Sequence, residues 1–158
     1  MHTDSSLKSS DQKAVDVLYR ISTLANKEKN PVTALKGILD EVMSIFKASS
    51  ASISLLNADS DKLVIEVERG LSESSSGFEL PMGVGITGWV ALHGEPLLCA
   101  DVSKEERYFP LDEKIRSEMA APLSEGNRTV GALNVDALEV KAFSSDDLRL
   151  LVLIANEA

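Results

Sequence analysis

Side chains able to do covalent chemistry are few in this chain. It has one cysteine, Cys99, and two histidines, His2 and His93, in 158 residues. That supply makes no internal disulfide and no zinc site. No Ser-His-Asp set, purposeful carboxylate pair or metal constellation stands out. What concentrates instead is glycine. The segment 83–101 holds Gly83, Gly85, Gly88 and Gly94 of the nine glycines, together with the one tryptophan, Trp89. Its string G-x-G-x-x-G-x-V invites a dinucleotide turn or a kinase glycine-rich loop. Neither context is met. Pro81 interrupts the run before the string, and Gly94-Glu95-Pro96 ends any helix soon after Leu92, too early for a crossover connection. Kinase H-R-D and D-F-G motifs do not occur. The glycines therefore describe shape: Gly83 and Gly85 permit a positive φ, Thr87 is placed to cap a short helix over Gly88–His93, and Gly94 and Pro96 stop it.

The elements around this segment alternate between helical and extended periodicity. Met1–Ser10 is Ser-rich and polar, and reads as a linker or frayed start. Ala14, Leu18, Ile21 and Ala25 keep helical spacing from Asp11 onward. Asn30-Pro31 opens a second helix, with Leu35, Ile38, Leu39, Val42 and Phe46 as its stripe. Ala51, Ile53 and Leu55 alternate with Ser52 and Ser54, a turn lies at 57–61, and Leu63, Ile65 and Val67 return as the partner strand. Leu97–Ala100 is a short strand, and a helical turn is expected near Asp112–Ile115. Ser117–Leu123 is a strand whose Pro122 places it near an edge or a bulge, and Thr129–Val135 pairs with it. A last helix follows Ser144 and Ser145, apolar almost all round through Leu148–Ile154 and so expected to be buried on several sides. The order indicates an α+β domain with an antiparallel sheet. One domain over 11–158 fits the length, and the apolar pattern running up to Ala158 points to a piece of a longer signalling protein.

Charge narrows the partners. A net charge of −9 and a pI near 4.7, with no basic cluster, argue against nucleic acid or anionic membrane. The absence of a signal-peptide pattern or a long apolar run makes cytoplasm the expected location.

Six pieces in order resemble a GAF domain: Gly83-x-Gly-x-x-Gly-x-Val-Ala91, Gly94-x-Pro96, Asp101-Val102, Ser117-Glu-Met-Ala-Ala-Pro-Leu123, Gly131-x-Leu133-x-Val135, and Phe143-x-x-x-Asp147-Leu148. The likeness runs from about Lys13 to the end, and is nearest to modules at the front of bacterial transcriptional activators and sensor kinases. It implies a central antiparallel sheet of about six strands, with the N- and C-terminal helices on one face and a ligand pocket on the other. It also implies a homodimer through the terminal helices and a signal relayed to an attached output domain. Departures exclude some ligands. Cyclic-nucleotide binders carry Asn-Lys where this chain has Asp136-Ala137, and the setting of Cys99 differs from that of bilin attachment. Free methionine-(R)-sulfoxide reductases of this fold use paired cysteines in the loop before Ser117, where this chain has none. The expectation is therefore a sensor, not an enzyme. No cofactor is named by the sequence. A dimerisation scaffold with a filled cavity is the alternative, separated from a sensor by a free cavity of a few hundred Å3.

The resemblance places the roof of the pocket at Gly83–Asp101 and at the loop 102–116, with Ile53, Met119, Ala121 and Leu133 as floor. The expected ligand-binding residues are Trp89, Asp101, Arg107, Tyr108, Phe109, Ser117, Met119 and Ala121. Arg107 beside aromatic surface suits an anionic or zwitterionic small molecule. Of the polar pair Ser117 and Glu118, one faces the cavity. The default roles are plainer: Asp101 as a turn cap, Trp89 and Cys99 as core, His93 as a solvated helix end.

Overall fold

A computed structural model describes residues 5–27, 29–57, 61–71, 77–108 and 113–157. Helix α1 (Ser5–Lys27) begins ahead of the expected Asp11, since nothing between Ser5 and Asp11 breaks a helix. Helix α2 (Pro31–Phe46) starts as its sequence dictates. The Asn30 side chain accepts from the N–H groups of Val32 (3.0 Å) and Thr33 (3.4 Å), and Pro31 occupies the first turn, where no donor is needed.

Strands β1 (Ser50–Asn57) and β2 (Lys62–Arg69) form the expected hairpin. After them come β3 (Glu79–Pro81), α3 (Gly85–His93), β4 (Leu97–Cys99), β5 (Ser117–Glu125), β6 (Arg128–Ala137) and α4 (Ser145–Glu157). The six strands make one sheet in the order β3-β2-β1-β6-β5-β4, antiparallel throughout. Pro122 is tolerated because β4 covers β5 only opposite residues 118–120, and the pairing with β6 shifts just beyond, between Leu123 and Ser124. At the start of α4, the Ser144 hydroxyl accepts from the Asp147 N–H (3.1 Å) while the Asp147 carboxylate accepts from the Ser144 N–H (2.8 Å), a reciprocal cap.

Alternation along the strands sends successive residues to opposite faces. Ala51, Ile53, Met119, Ala121, Leu123, Leu133 and Val135 face α1, α2 and α4, where they meet Ile21, Ile38, Leu39, Val42, Leu151 and Ile154. Each such buried aliphatic side chain contributes about 1.5–3 kcal/mol relative to exposure. The expected pocket floor of Ile53, Met119, Ala121 and Leu133 is therefore corrected. Those side chains are the core beneath the helices, because an apolar strand face goes to the larger apolar surface. Helix α4 buries Leu151, Ile154 and Ala155 against α1 and β5 but leaves Leu153 49% exposed, so it is not enclosed all round. Among the described residues no helix is long and apolar enough to cross a membrane.

Candidate functional site

The glycine segment shapes the roof over the opposite face. Gly83 and Gly85 take positive φ (84° and 72°), as their types allow, and turn the chain from β3 into α3. The helix starts earlier than expected: its cap position is Val84, with no side-chain cap, so Thr87 lies inside it. At Gly88 a Cβ would stand 3.0 Å from the Pro81 carbonyl oxygen and 3.1 Å from the Gly83 nitrogen, so glycine lets α3 pack on its own lead-in turn. Gly94 closes the helix in the left-handed conformation, its N–H donating to the Val90 carbonyl at 2.8 Å. Ile86 and Val90 press α3 onto the sheet beside Cys99, Val102 and Ile115, and the small Ala120 and Ala132 let it come close.

Between α3 and the sheet lies a cavity of about 30 Å3, room for one or two waters. Its lining divides cleanly. Ile65, Phe78, Leu80, Ile86 and Ile115 give an apolar wall, while Ser52, Ser54, Glu118, Asn134 and Asp136 are polar, and Thr87 and Tyr108 add hydroxyls from the roof. The polar set follows from strand register. Ser50 pairs with Asp136, which pairs with Glu118, which pairs with Cys99; in the next row Ser52 pairs with Asn134, which pairs with Ala120. Glu118 and Asn134 are each 6% exposed and Asp136 is 2% exposed.

Hydrogen bonds tie this floor together. The Ser50 hydroxyl donates to Asp136 Oδ2 (2.9 Å), and Asn134 Nδ2 donates to Asp136 Oδ1 (3.1 Å). Among the described residues, buried Asn134 Oδ1 finds no hydrogen-bond partner. Burial first, and the negative charge of Asp136 second, push the Glu118 carboxyl well above the usual carboxylate range, against a hydrogen bond from Asn134 that favours ionisation. Among the described residues no cation acts on Glu118.

The structure gathers few of the residues expected at the site. Tyr108 lines the cavity. Glu118, not Ser117, is the member of that pair that faces it. The Ser117 hydroxyl donates to the Glu139 carbonyl (2.6 Å), on the face shared with Met119 and Ala121. Arg107 is held outside the cavity lining. Its guanidinium makes a two-pronged pair with Glu105 (2.6 and 2.9 Å) and lies 4.8 Å over the Trp89 ring, which stacks in turn on His93 at 4.4 Å. The arginine expected to meet an anionic ligand is thus already matched by Glu105, whose pKa the Arg107 hydrogen bond lowers. Asp101 caps the short 3-10 turn Val102–Lys104, accepting from the Ser103 N–H (3.0 Å) and hydroxyl (2.7 Å). Phe109 lies outside the described residues, as do residues 72–76 of the Ser-rich loop. Cys99 is buried, and burial, with Glu105 and Glu118 nearby, pushes its thiol up to about 11, far from a ready nucleophile. Ser52, Ser54, Asn134 and Asp136 escape notice in the sequence because polar residues alternating along a strand read as a solvent face.

The GAF domain family profile matches residues 28–158. The chain belongs to the GAF domain family. Among solved structures, the GAF domain of an Acinetobacter phosphoenolpyruvate-protein phosphotransferase is similar at 25% identity, covering 90% of this chain and 88% of its own, with a TM-score of 0.83. A free methionine-R-sulfoxide reductase from Neisseria meningitidis, in complex with its substrate, superposes at a TM-score of 0.84 with 22% identity, over 99% of this chain and 89% of that one. The fRMsr of Staphylococcus aureus, also in a substrate complex, gives a TM-score of 0.78 at 18% identity, over 91% of this chain and 92% of that one. Among curated proteins none matches the chain in sequence.

These neighbours correct one expectation. The expectation of a chain that is not an enzyme rests on the lack of a catalytic constellation and of the paired cysteines. The same fold, matched over nearly the whole of this chain, is an enzyme in the Neisseria protein, so GAF membership does not exclude catalysis.

Proposed function

We propose that this chain is a sensory GAF module, in which a small molecule occupies the space between the sheet and α3 and its presence is passed through the terminal helices to an attached output domain. The observation that carries this reading is the polar floor of the roofed space. A scaffold that fills its own cavity gains nothing from burying the Glu118 carboxyl or from an Asn134 oxygen that finds no donor among the described residues, since each costs free energy unless matched. The cavity of about 30 Å3 is well below the few hundred Å3 expected of a sensor, so by volume alone the structure favours the filled-cavity scaffold, and the sensory reading stands on the chemistry of the floor. Entry of a ligand therefore requires α3 to lift. Native mass spectrometry of the purified protein tests the reading. A small molecule retained by the folded chain, released on denaturation and raising the melting temperature when returned, is expected. Protein that retains nothing and is stabilised by no member of a metabolite panel would leave the scaffold reading.

The relay rests on the terminal helices. Tyr19 and Val15 on α1 are 72% and 58% exposed, and Leu153 on α4 is 49% exposed, although the two helices pack on each other. Such uncovered apolar side chains fit self-association through α1 and α4. Sedimentation should show a dimer that Tyr19→Glu converts to monomer; an unchanged monomer in both proteins would remove this part of the proposal.

A further inference from the structure

The two edges of the sheet are defended unequally. Its outermost strands, β3 and β4, are three residues each and are bonded on one side only. An edge strand offers unpaired N–H and C=O groups to another chain, and proline or charge on it discourages pairing. Strand β3, Glu79-Leu80-Pro81, has both: Pro81 lacks a donor, and Glu79 lies 3.9 Å from Lys62. Strand β4, Leu97-Leu98-Cys99, has neither. Among the described residues, the backbone bond that reaches this stretch from outside the sheet runs from the Lys141 N–H to the Ala100 carbonyl (2.8 Å), just past the strand's end.

Beside β4 lies an open hollow of about 310 Å3, against about 30 Å3 for the cavity under α3. Its lining includes Leu98, Cys99 and Ala100 but no residue of β5, so it lies off the unpaired side of β4. The rest comes from Asp101, Lys104 and Glu105 after the strand, and from Val140 and Lys141 in the loop between β6 and α4. Val140 is exposed and Leu98 half-buried, an apolar surface for alternate side chains of an added strand. The acids of the hollow are already engaged: Asp101 accepts from Ser103, and Glu105 holds Arg107. The lysines are not. Lys104 favours the ionised form of Asp101 through its charge but makes no ion pair with it, and the Lys141 side chain makes none among the described residues. In a chain of net charge −9, two such lysines beside an undefended edge select for acid.

We propose that the outer edge of β4 is a docking site for a partner protein's extended segment, which joins the sheet beside Leu97–Cys99 and sets flanking carboxylates against Lys104 and Lys141. An extended backbone supplies donors and acceptors in line, which no compact ligand does. A second copy of this chain fits worse, because β4 paired with β4 brings the lysines of both copies to one seam. This surface lies apart from the cavity under α3, and the inference stands whether or not a ligand is sensed there.

The probe is the capped peptide acetyl-Glu-Glu-Val-Thr-Val-Glu-Glu-amide, titrated into the 15N-labelled full chain and followed at the backbone amides of Leu97–Ala100. Saturable shifts at those amides are expected, with affinity reduced at least tenfold when Lys104→Glu and Lys141→Glu are combined. Both lysines are exposed, so the variant should fold, and its amide spectrum reports whether it does. The two single variants, each expected to weaken binding, decide the matter if it does not. A peptide with lysine in place of each glutamate should not bind. Nor should acetyl-Glu-Glu-Val-Pro-Pro-Glu-Glu-amide, whose adjacent prolines remove a donor in either register. Absence of saturable shifts with the first peptide overturns the proposal. So does equal binding of the proline peptide, or an affinity unchanged by the lysine substitutions. If dilution of the protein alone moves these amides, a second copy holds the edge and the proposal falls.

Discussion

The two faces of the one sheet are built from the same strands and do opposite things. Toward α1, α2 and α4, residues such as Ile53, Met119, Leu133 and Val135 are fully buried among apolar partners. One position along, Ser52, Glu118, Asn134 and Asp136 are nearly as buried but polar, under a single short helix. Burial of the first set stabilises the fold through area removed from water. Burial of the second set costs free energy, because the Glu118 carboxyl leaves water for a place where no cation among the described residues acts on it. Equal exposure thus hides opposite energetic signs. The face that holds the domain together is not the face that carries the polar row.

Substitutions separate the two. The largest loss is expected on the helix side, where Leu133→Ala should lower the unfolding free energy by about 2–5 kcal/mol in urea titrations, as removal of a fully enclosed Leu does. A loss under about 1 kcal/mol would mean that this face is less tightly packed than the other. Next comes the roof. Gly88→Ala puts a Cβ against backbone atoms of Pro81 and Gly83 that cannot rotate away. It should cost about 1–3 kcal/mol in urea titrations. Wild-type stability in this variant would show that the roof sits loosely. The smallest effect is expected outside the cavity. Arg107→Ala removes a half-buried pair with Glu105 and a stack on Trp89, so stability should change by less than about 1 kcal/mol. A loss above about 2 kcal/mol would mean that the pair supports the roof.

Most of the fold was legible in the sequence, and most of the site was not. Asn30-Pro31, the hairpin around β1 and β2, Gly94 and the Ser144–Asp147 cap each declare themselves through local chemistry. The start of α1 was harder, because a polar helix needs no apolar stripe. The site depends on which strand face lies under which helices. Period-two alternation gives two faces but does not label them, and a one-residue error moves the whole floor through the sheet. Met119 and Ala121 read as pocket floor, whereas nothing local marks Asn134 and Asp136 as floor residues. Two observations could have warned of this. Ser50, Ser52 and Ser54 are short enough for a covered face, and Glu118 stands in an otherwise apolar strand. Arg107 misled for a different reason: its partner, Glu105, is only two residues away, and such local pairs are hard to foresee in a loop.

The central claim is that burying Glu118 in the polar floor costs the folded protein free energy once it ionises. Glu118 has its folded pKa raised above its ordinary 4.5, so the folded state binds the proton more tightly than the unfolded chain does. Its contribution to stability is then fully present below about pH 4.5 and is lost as pH rises toward the folded-state value. Urea unfolding of the wild type and of Glu118→Gln, each measured from pH 5 to pH 8 without ligand, tests this directly. The wild type should lose stability relative to the variant as pH rises, so that the two curves diverge steadily. Parallel curves, or a variant that weakens relative to the wild type toward pH 8, would show that an ionised Glu118 supports the fold, and would contradict the account.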